Sequence, residues 1–207
     1  MRPQFDAIAF DLLTALIDSW SLWIAVAGNA EKGRAWRQAS LARVTTAGAY
    51  RPYEAIVREA ATDADIADLK ADELLDRWSE LRPWPDSDET LKRLKGLRLA
   101  VVTNCSQRLA EAAARATTGE FEIIMSAERA GYYKTSPQAY LAALTALGLP
   151  PDRVLFVAGS AHDVPGAGAV GMPVYWANRN GSTIPSGAPR PIVISADLNE
   201  LPRLVCK

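Results

Sequence analysis

The feature that most constrains this chain is a rhythm. Short apolar runs each end in small or polar residues and then give way to a helical pattern. Residues 5–10 end at Asp11, residues 97–102 at Thr103 and Asn104, and residues 153–157 at Ala158-Gly159-Ser160. Shorter runs of the same kind occupy 121–125, 173–176 and 192–195. Runs this short and continuously apolar suit strands buried on both faces of a parallel sheet. Helical periodicity follows at 106–117 and 136–147. Strand, polar loop and helix in repetition predict a doubly wound α/β sheet.

One segment breaks the alternation. Residues 19–82 carry no strand pattern but several helical ones: a helix opened by Trp20, Trp23, Ile24 and Val26, then helices over 35–47, 53–61 and 72–81. An all-helical block between the first and second strands reads as an inserted cap. Arg82-Pro83-Trp84-Pro85-Asp86 reads as its return hinge, since two prolines stop a helix. The expected organisation is an α/β core of residues 1–16 and 84–207 with a helical cap of residues 17–83.

Composition narrows the function classes. The 207 residues are 49% hydrophobic, enough for one well-filled core. Lys and Arg number 23 against 24 Asp and Glu, so no basic excess points to nucleic acid. No run of about 18 uncharged apolar residues predicts a membrane span. Asp6, Asp11 and Asp18 interrupt the first apolar stretch, so no signal peptide is expected. Two distant cysteines, Cys105 and Cys206, make no disulfide framework, and a reduced, cytoplasmic protein is the plain expectation. A single histidine, His162, excludes mechanisms that need two.

In open α/β sheets chemistry collects at the carboxyl ends of the strands. This chain places Asp11, Thr103, Asn104, Ser160, His162 and Asp163 there, with Lys134 in the loop before the 136–147 helix. A carboxylate attacks electrophilic carbon or phosphorus to form an ester or acyl phosphate. A neighbouring lysine favours its ionised form, and a second carboxylate accepts a proton from hydrolytic water. Taken singly, each residue is ordinary: an Asp after a strand is usually a cap or turn residue, and a lone Lys a solvated charge. Their joint placement gives them weight.

These residues resemble the haloacid dehalogenase superfamily, and more narrowly its L-2-haloacid dehalogenase branch. The likeness runs from Phe5 to about Asn180. It is densest at Ile8-Ala9-Phe10-Asp11-Leu12, Trp36-Arg37-Gln38, Val102-Thr103-Asn104, Tyr133-Lys134 with Tyr140, and Leu155-Phe156-Val157 through Asp163 to Trp176-Ala177-Asn178-Arg179. The resemblance implies a Rossmannoid core with a helical cap and a cofactor-independent hydrolase. That enzyme would use Asp11 as nucleophile on a small anionic 2-substituted carboxylic acid, with no metal. It implies that Lys134 pairs with Asp11 and that Tyr140 supports this network. Asp163 would orient or activate water, Arg37 would bind the substrate and accept the halide, and Thr103 and Asn104 would hold the substrate carboxylate. A homodimer is implied in the same way. Arg37 alone, on a helix with several cations, reads as an ordinary surface charge.

The match departs at four places. Leu13 stands where the superfamily's phosphatases carry an acid and the dehalogenase branch a tyrosine. Thr14-Ala15 replaces Gly-Thr, Ala158 replaces a serine, and Ser160 replaces an asparagine or aspartate. Too few carboxylates remain for a hard cation, which disfavours a magnesium phosphatase. A departing halide needs no proton, so Leu13 is compatible with dehalogenation. Loss of the usual threonine, serine and asparagine predicts a nucleophile with fewer supporting hydrogen bonds. Ring opening of a strained cyclic amino acid, a phosphatase, and an inactive binding protein stay open as alternatives. His162, where the branch has tryptophan, reads either as a base or pocket residue or as a helix cap. Cys105 reads as a small filler, and the aromatic residues at 20, 23, 36, 50 and 53 as cap core, with one or two walling the pocket.

Overall fold

The computed structural model describes residues 4–205; Cys206 lies outside them. Its centre is a six-stranded, all-parallel sheet: β1 (Ala7–Phe10), β2 (Arg98–Thr103), β3 (Ile123–Ser126), β4 (Val154–Ala158), β5 (Val174–Ala177) and β6 (Val193–Ser195). The spatial order is β3-β2-β1-β4-β5-β6, so β1 is central and Phe10 pairs in register with Val101 and Val157. Both faces of the central strands are covered, which explains why β1 and β4 are buried at every position. Each predicted strand lies within a residue or two of its apolar run.

Ten α-helices occur among the described residues. Five lie between β1 and β2, and the first four of these fall in the cap segment: α1 (Ser19–Ala27), α2 (Ala30–Ala47), α3 (Tyr53–Asp63) and α4 (Asp68–Asp76). The rest are α5 (Ser87–Arg93), α6 (Gln107–Ala114), α7 (Ala127–Ala130), α8 (Pro137–Leu147), α9 (Asp163–Ala169) and α10 (Leu201–Val205). The helix expected from residue 35 begins at Ala30, where Asn29 caps it by accepting a hydrogen bond from the Lys32 amide at 2.9 Å. Gly33, inside its first turns, is a close approach to α1: a Cβ there would lie 2.6 Å from the Ile24 Cα. The helix expected over 72–81 ends at Asp76 and tightens into a 3-10 turn at Arg77–Glu80. There the Trp78 indole donates to the Leu109 carbonyl of α6 at 3.1 Å.

The cap segment is tied to the core at both ends and along its length. At its base, Ile17 bridges Pro83, the Asp18 amide donates to the Arg82 carbonyl (3.0 Å), and the Trp84 amide to the Leu16 carbonyl (3.0 Å). Farther out, Ala49 bridges Tyr132, with Tyr50 N to Gly131 O at 2.9 Å and Tyr133 N to Gly48 O at 2.7 Å. The Tyr133 hydroxyl adds a bond to the Arg51 carbonyl at 2.7 Å. The segment that delivers Lys134 is therefore stitched to the connection between α2 and α3.

Candidate active site

The site begins with the turn after β1. Residues Leu12–Leu16 form a wide π-helical turn, closed by the Ile17 amide on the Leu12 carbonyl at 2.9 Å. Asp11 caps it. Its Oδ2 accepts from the Thr14 amide (2.9 Å), the Ala15 amide (3.2 Å) and the Thr14 hydroxyl. Its Oδ1 accepts from Lys134 Nζ at 2.7 Å. The expected loss of hydrogen bonds around Asp11 is thus made good for the threonine, though Ala158 and Ser160 add none. The turn is wound so that the hydroxyl of Thr14, one position before the usual threonine, reaches the carboxylate. Gly159, just after β4, permits this packing: a Cβ there would lie 2.3 Å from the Ala15 amide nitrogen.

Lys134 Nζ also donates to Asp163 Oδ2 at 3.0 Å, and the Tyr140 hydroxyl to Asp163 Oδ1 at 2.8 Å. All four side chains are buried. Tyr140 reaches Asp163 because Gly166 faces it; a Cβ at Gly166 would sit 2.6 Å from the Tyr140 hydroxyl oxygen. The Asn104 carboxamide grips the Lys134 backbone, accepting from its amide at 2.7 Å and donating to its carbonyl at 2.8 Å.

The two carboxylates titrate in opposite directions. Burial pushes Asp11 up, but the Lys134 ammonium and the Thr14 donors outweigh it and hold Asp11 below the usual carboxylate range. Burial dominates at Asp163. Lys134 and Tyr140 offset it in part, the Asp11 charge adds to it, and the net shift is upward. Burial depresses Lys134, yet its two carboxylate partners raise it overall, so it stays an ammonium. Burial and the Asp163 charge hold the Tyr140 phenol well above its ordinary value. Burial drives the Cys105 thiol up to about 12, in keeping with an inert filler.

Asp11, Lys134 and Asp163 face a cavity of about 40 Å³, which Leu13, Arg37, Leu41, Val44, Thr103, Asn104, Ser160 and His162 also line. Apart from Leu41 and Val44, which were not expected there, these are expected site residues gathered at one place. Tyr140 differs: it stands behind Asp163 and is not part of the lining, so its position suits a support rather than a substrate contact. Asn104 borders the cavity with both ends of its amide engaged on Lys134. His162 is exposed at the rim; its backbone amide bonds Ser160 Oγ at 3.2 Å, and its side chain makes no cap bond to α9. None of the five aromatic residues singled out in the sequence lines the cavity. The Arg37 guanidinium carbon instead lies over the Trp20 and Trp23 rings, 5.8 and 5.2 Å from their centroids.

Arg37 is the unusual group. It is buried, makes no ion pair among the described residues, and leaves Nε without a hydrogen-bond partner. Its single hydrogen bond among the described residues is a long one, 3.5 Å from Nη2 to Ser19 Oγ. A buried cation without a counter-charge is costly, which suits a site that receives an anion. Beyond the lining residues of α2, three hydrogen-bond donors were not foreseen in the sequence: Thr14 to Asp11, and Ser19 and Trp84 to the turn carbonyls (2.6 Å to Leu13 O and 3.0 Å to Thr14 O). A hydroxyl residue three positions after the strand-end aspartate, in a capping arrangement, was the available signal for Thr14.

A buried, ionised carboxylate at the carboxyl edge of a parallel sheet, with an ammonium shared by a second carboxylate and a cationic cap above, defines a capped α/β enzyme site. Comparison with known proteins agrees. A family model described as haloacid dehalogenase-like hydrolase matches residues 5–171. (S)-2-haloacid dehalogenase H-109 of Pseudomonas putida is 30% identical over an alignment of 219 positions spanning 97% of each chain. (S)-2-haloacid dehalogenase 4A of Burkholderia cepacia is 32% identical, spanning 88% of this chain and 87% of that one. A solved dehalogenase crystal structure, 29% identical, superposes over the whole of both chains with a TM-score of 0.88. The chain belongs to the haloacid dehalogenase superfamily, in its L-2-haloacid dehalogenase branch, and is a hydrolase of that kind.

Proposed function

We propose that this hydrolase needs no cofactor and displaces halide from the α-carbon of a short 2-haloacid through an ester on Asp11. The carrying observation is that an ionised Asp11 and an anion-seeking Arg37 line one cavity. Oδ2 of Asp11 already accepts several hydrogen bonds, whereas Oδ1 meets Lys134 alone. Oδ1 is therefore the attacking oxygen. It forms a bond to the α-carbon from the face opposite the halogen, the carbon–halogen bond breaks with inversion, and halide leaves beside Arg37. The apolar Leu13 supplies no acid, and a halide needs none. That supports carbon over phosphorus as the electrophile.

Water then attacks Cγ of Asp11, giving one proton to Asp163 while charge moves onto Oδ2. There the Thr14 and Ala15 amides form an oxyanion hole. Collapse breaks the Cγ–Oδ1 bond. The departing alkoxide takes the proton back and leaves as the 2-hydroxy acid, while Asp11 loses the other water proton and keeps the water oxygen. Overall, haloacid and water give hydroxy acid, halide and one proton.

A single turnover in oxygen-18 water tests this directly. One solvent oxygen is expected in the Asp11-containing peptide by mass spectrometry. An active sample whose Asp11 stays unlabelled, with label in the product instead, would refute the ester. A parallel screen of 2-haloacids and phosphate esters, with and without magnesium, separates this reading from a phosphatase.

A further inference from the structure

We propose that Ser19 and Trp84 are positioning residues that polarise the two peptide groups holding Asp11 Oδ2, and so chiefly speed hydrolysis of the ester. This rests on the covalent reading above. The Thr14 amide belongs to the peptide whose carbonyl is Leu13 O, and that oxygen accepts from Ser19 Oγ at 2.6 Å. The Ala15 amide belongs to the peptide whose carbonyl is Thr14 O, and that oxygen accepts from Trp84 Nε1 at 3.0 Å. Each amide that donates to Oδ2 is thus backed, across its own peptide group, by a side-chain donor. Hydrogen bonds in such chains strengthen one another, and burial amplifies the effect.

Both donors are held in place. Ser19 is fully buried at the start of α1; having given its proton to Leu13 O, it offers a lone pair toward Arg37 Nη2 at 3.5 Å. Trp84 lies in the return hinge, 4.9 Å from the Arg179 guanidinium carbon. Arg179 itself bonds the Ala15 carbonyl at 2.7 Å and pairs with both Asp86 oxygens at 2.9 and 3.1 Å. Cap and hinge therefore each supply one donor to the turn.

The effect falls mainly on the second half-reaction. Oδ2 carries only part of the carboxylate charge during alkylation, but takes the full charge when water adds to Cγ. Weakening its two donors penalises that step most.

Ser19→Ala and Trp84→Phe, the latter keeping an aromatic ring over Arg179, test the relay in the full-length protein with (S)-2-chloropropionate. Each is expected to slow ester hydrolysis about tenfold, a fraction of the loss from deleting an oxyanion donor outright. Alkylation should change far less, so the Asp11 adduct accumulates in intact-mass spectra. Ser19→Thr, which keeps the hydroxyl, should restore turnover. Amide proton shifts read the same relay without turnover: Ser19→Ala should move Thr14 upfield, and Trp84→Phe should move Ala15. Equal slowing of both half-reactions, or unmoved amide protons, would overturn the relay. A parent protein that releases no halide but shows the paired shifts would instead count against the covalent reading and leave the relay standing.

Discussion

Asp11 and Asp163 share one ammonium and are both buried, yet their carboxyl groups move apart: Asp11 below the usual range, Asp163 above it. Such separation between neighbouring acids fits the roles proposed for them, the lower one staying charged as nucleophile and the higher one exchanging protons. Asp163→Asn is expected to slow ester hydrolysis about 10²- to 10⁴-fold while leaving the first displacement, so the Asp11 ester builds up in intact-mass spectra. Tyr140→Phe makes a finer prediction. The phenol donates to Asp163 Oδ1 and favours its charged form. Removing that bond raises the Asp163 pKa, so the base is protonated at higher pH. The acid limb of the ester-hydrolysis rate, followed in single turnovers, should move to higher pH, and an unmoved limb would remove Asp163 as the titrating base. Asp11, Lys134 and Asp163 were legible in the sequence because strand ends in an α/β sheet converge. Tyr140's acceptor and Thr14's hydroxyl bond were not legible, because they depend on how a π-helical turn and a glycine-faced helix orient side chains.

At the scale of elements, α2 does the most to shape the pocket. Arg37, Leu41, Val44 and Thr45 lie at i, i+4, i+7 and i+8, one face of a helix, and all line the cavity. The sequence pattern placed a helix here from residue 35, whereas it starts at Ala30, because a first turn of Glu31, Lys32 and Gly33 carries no apolar period to mark it. Nor did periodicity mark Arg37, which shares the helix with other cations that meet solvent or carboxylates; Arg43, for one, pairs with Glu59 and Asp63. Its burial against two indoles, with no ion pair among the described residues, distinguishes it. With about 40 Å³ of open space beside Asp11, the apolar wall of Leu41 and Val44 should restrict the substituent on C2. Activity is expected to fall about 10-fold or more for each methylene added beyond 2-chloropropionate. Val44→Ala should recover much of the loss for 2-chlorobutyrate while lowering the melting temperature. Equal kcat/KM for the two acids in the parent enzyme would contradict this.

Across the whole molecule, the apolar runs located every strand, yet the order β3-β2-β1-β4-β5-β6 was not written in any one of them. Order comes from crossovers packing on both faces, a property of the assembled layers. The same assembly brings a lysine from beyond β3 to aspartates after β1 and β4, and stability depends on that meeting. Asp11, with its pKa lowered in the fold, stabilises above the unfolded carboxylate range and loses that contribution as pH falls through its folded value. Asp163, with its pKa raised, stabilises only while protonated and loses that contribution as pH rises through its folded value. In the parent protein these opposed contributions partly cancel. Lys134→Met removes the shared counter-charge and leaves two buried carboxylates facing each other, a loss of about 3–5 kcal/mol near neutral pH. Both carboxyl groups would then titrate above their unfolded values, so protonation would favour the fold. Urea midpoints should show the variant far less stable than the parent at pH 7, with the gap narrowing toward pH 5. A gap that stayed constant or widened on acidification would mean that the ammonium does not compensate these two charges, and with that the ion triad could not be what keeps Asp11 ionised.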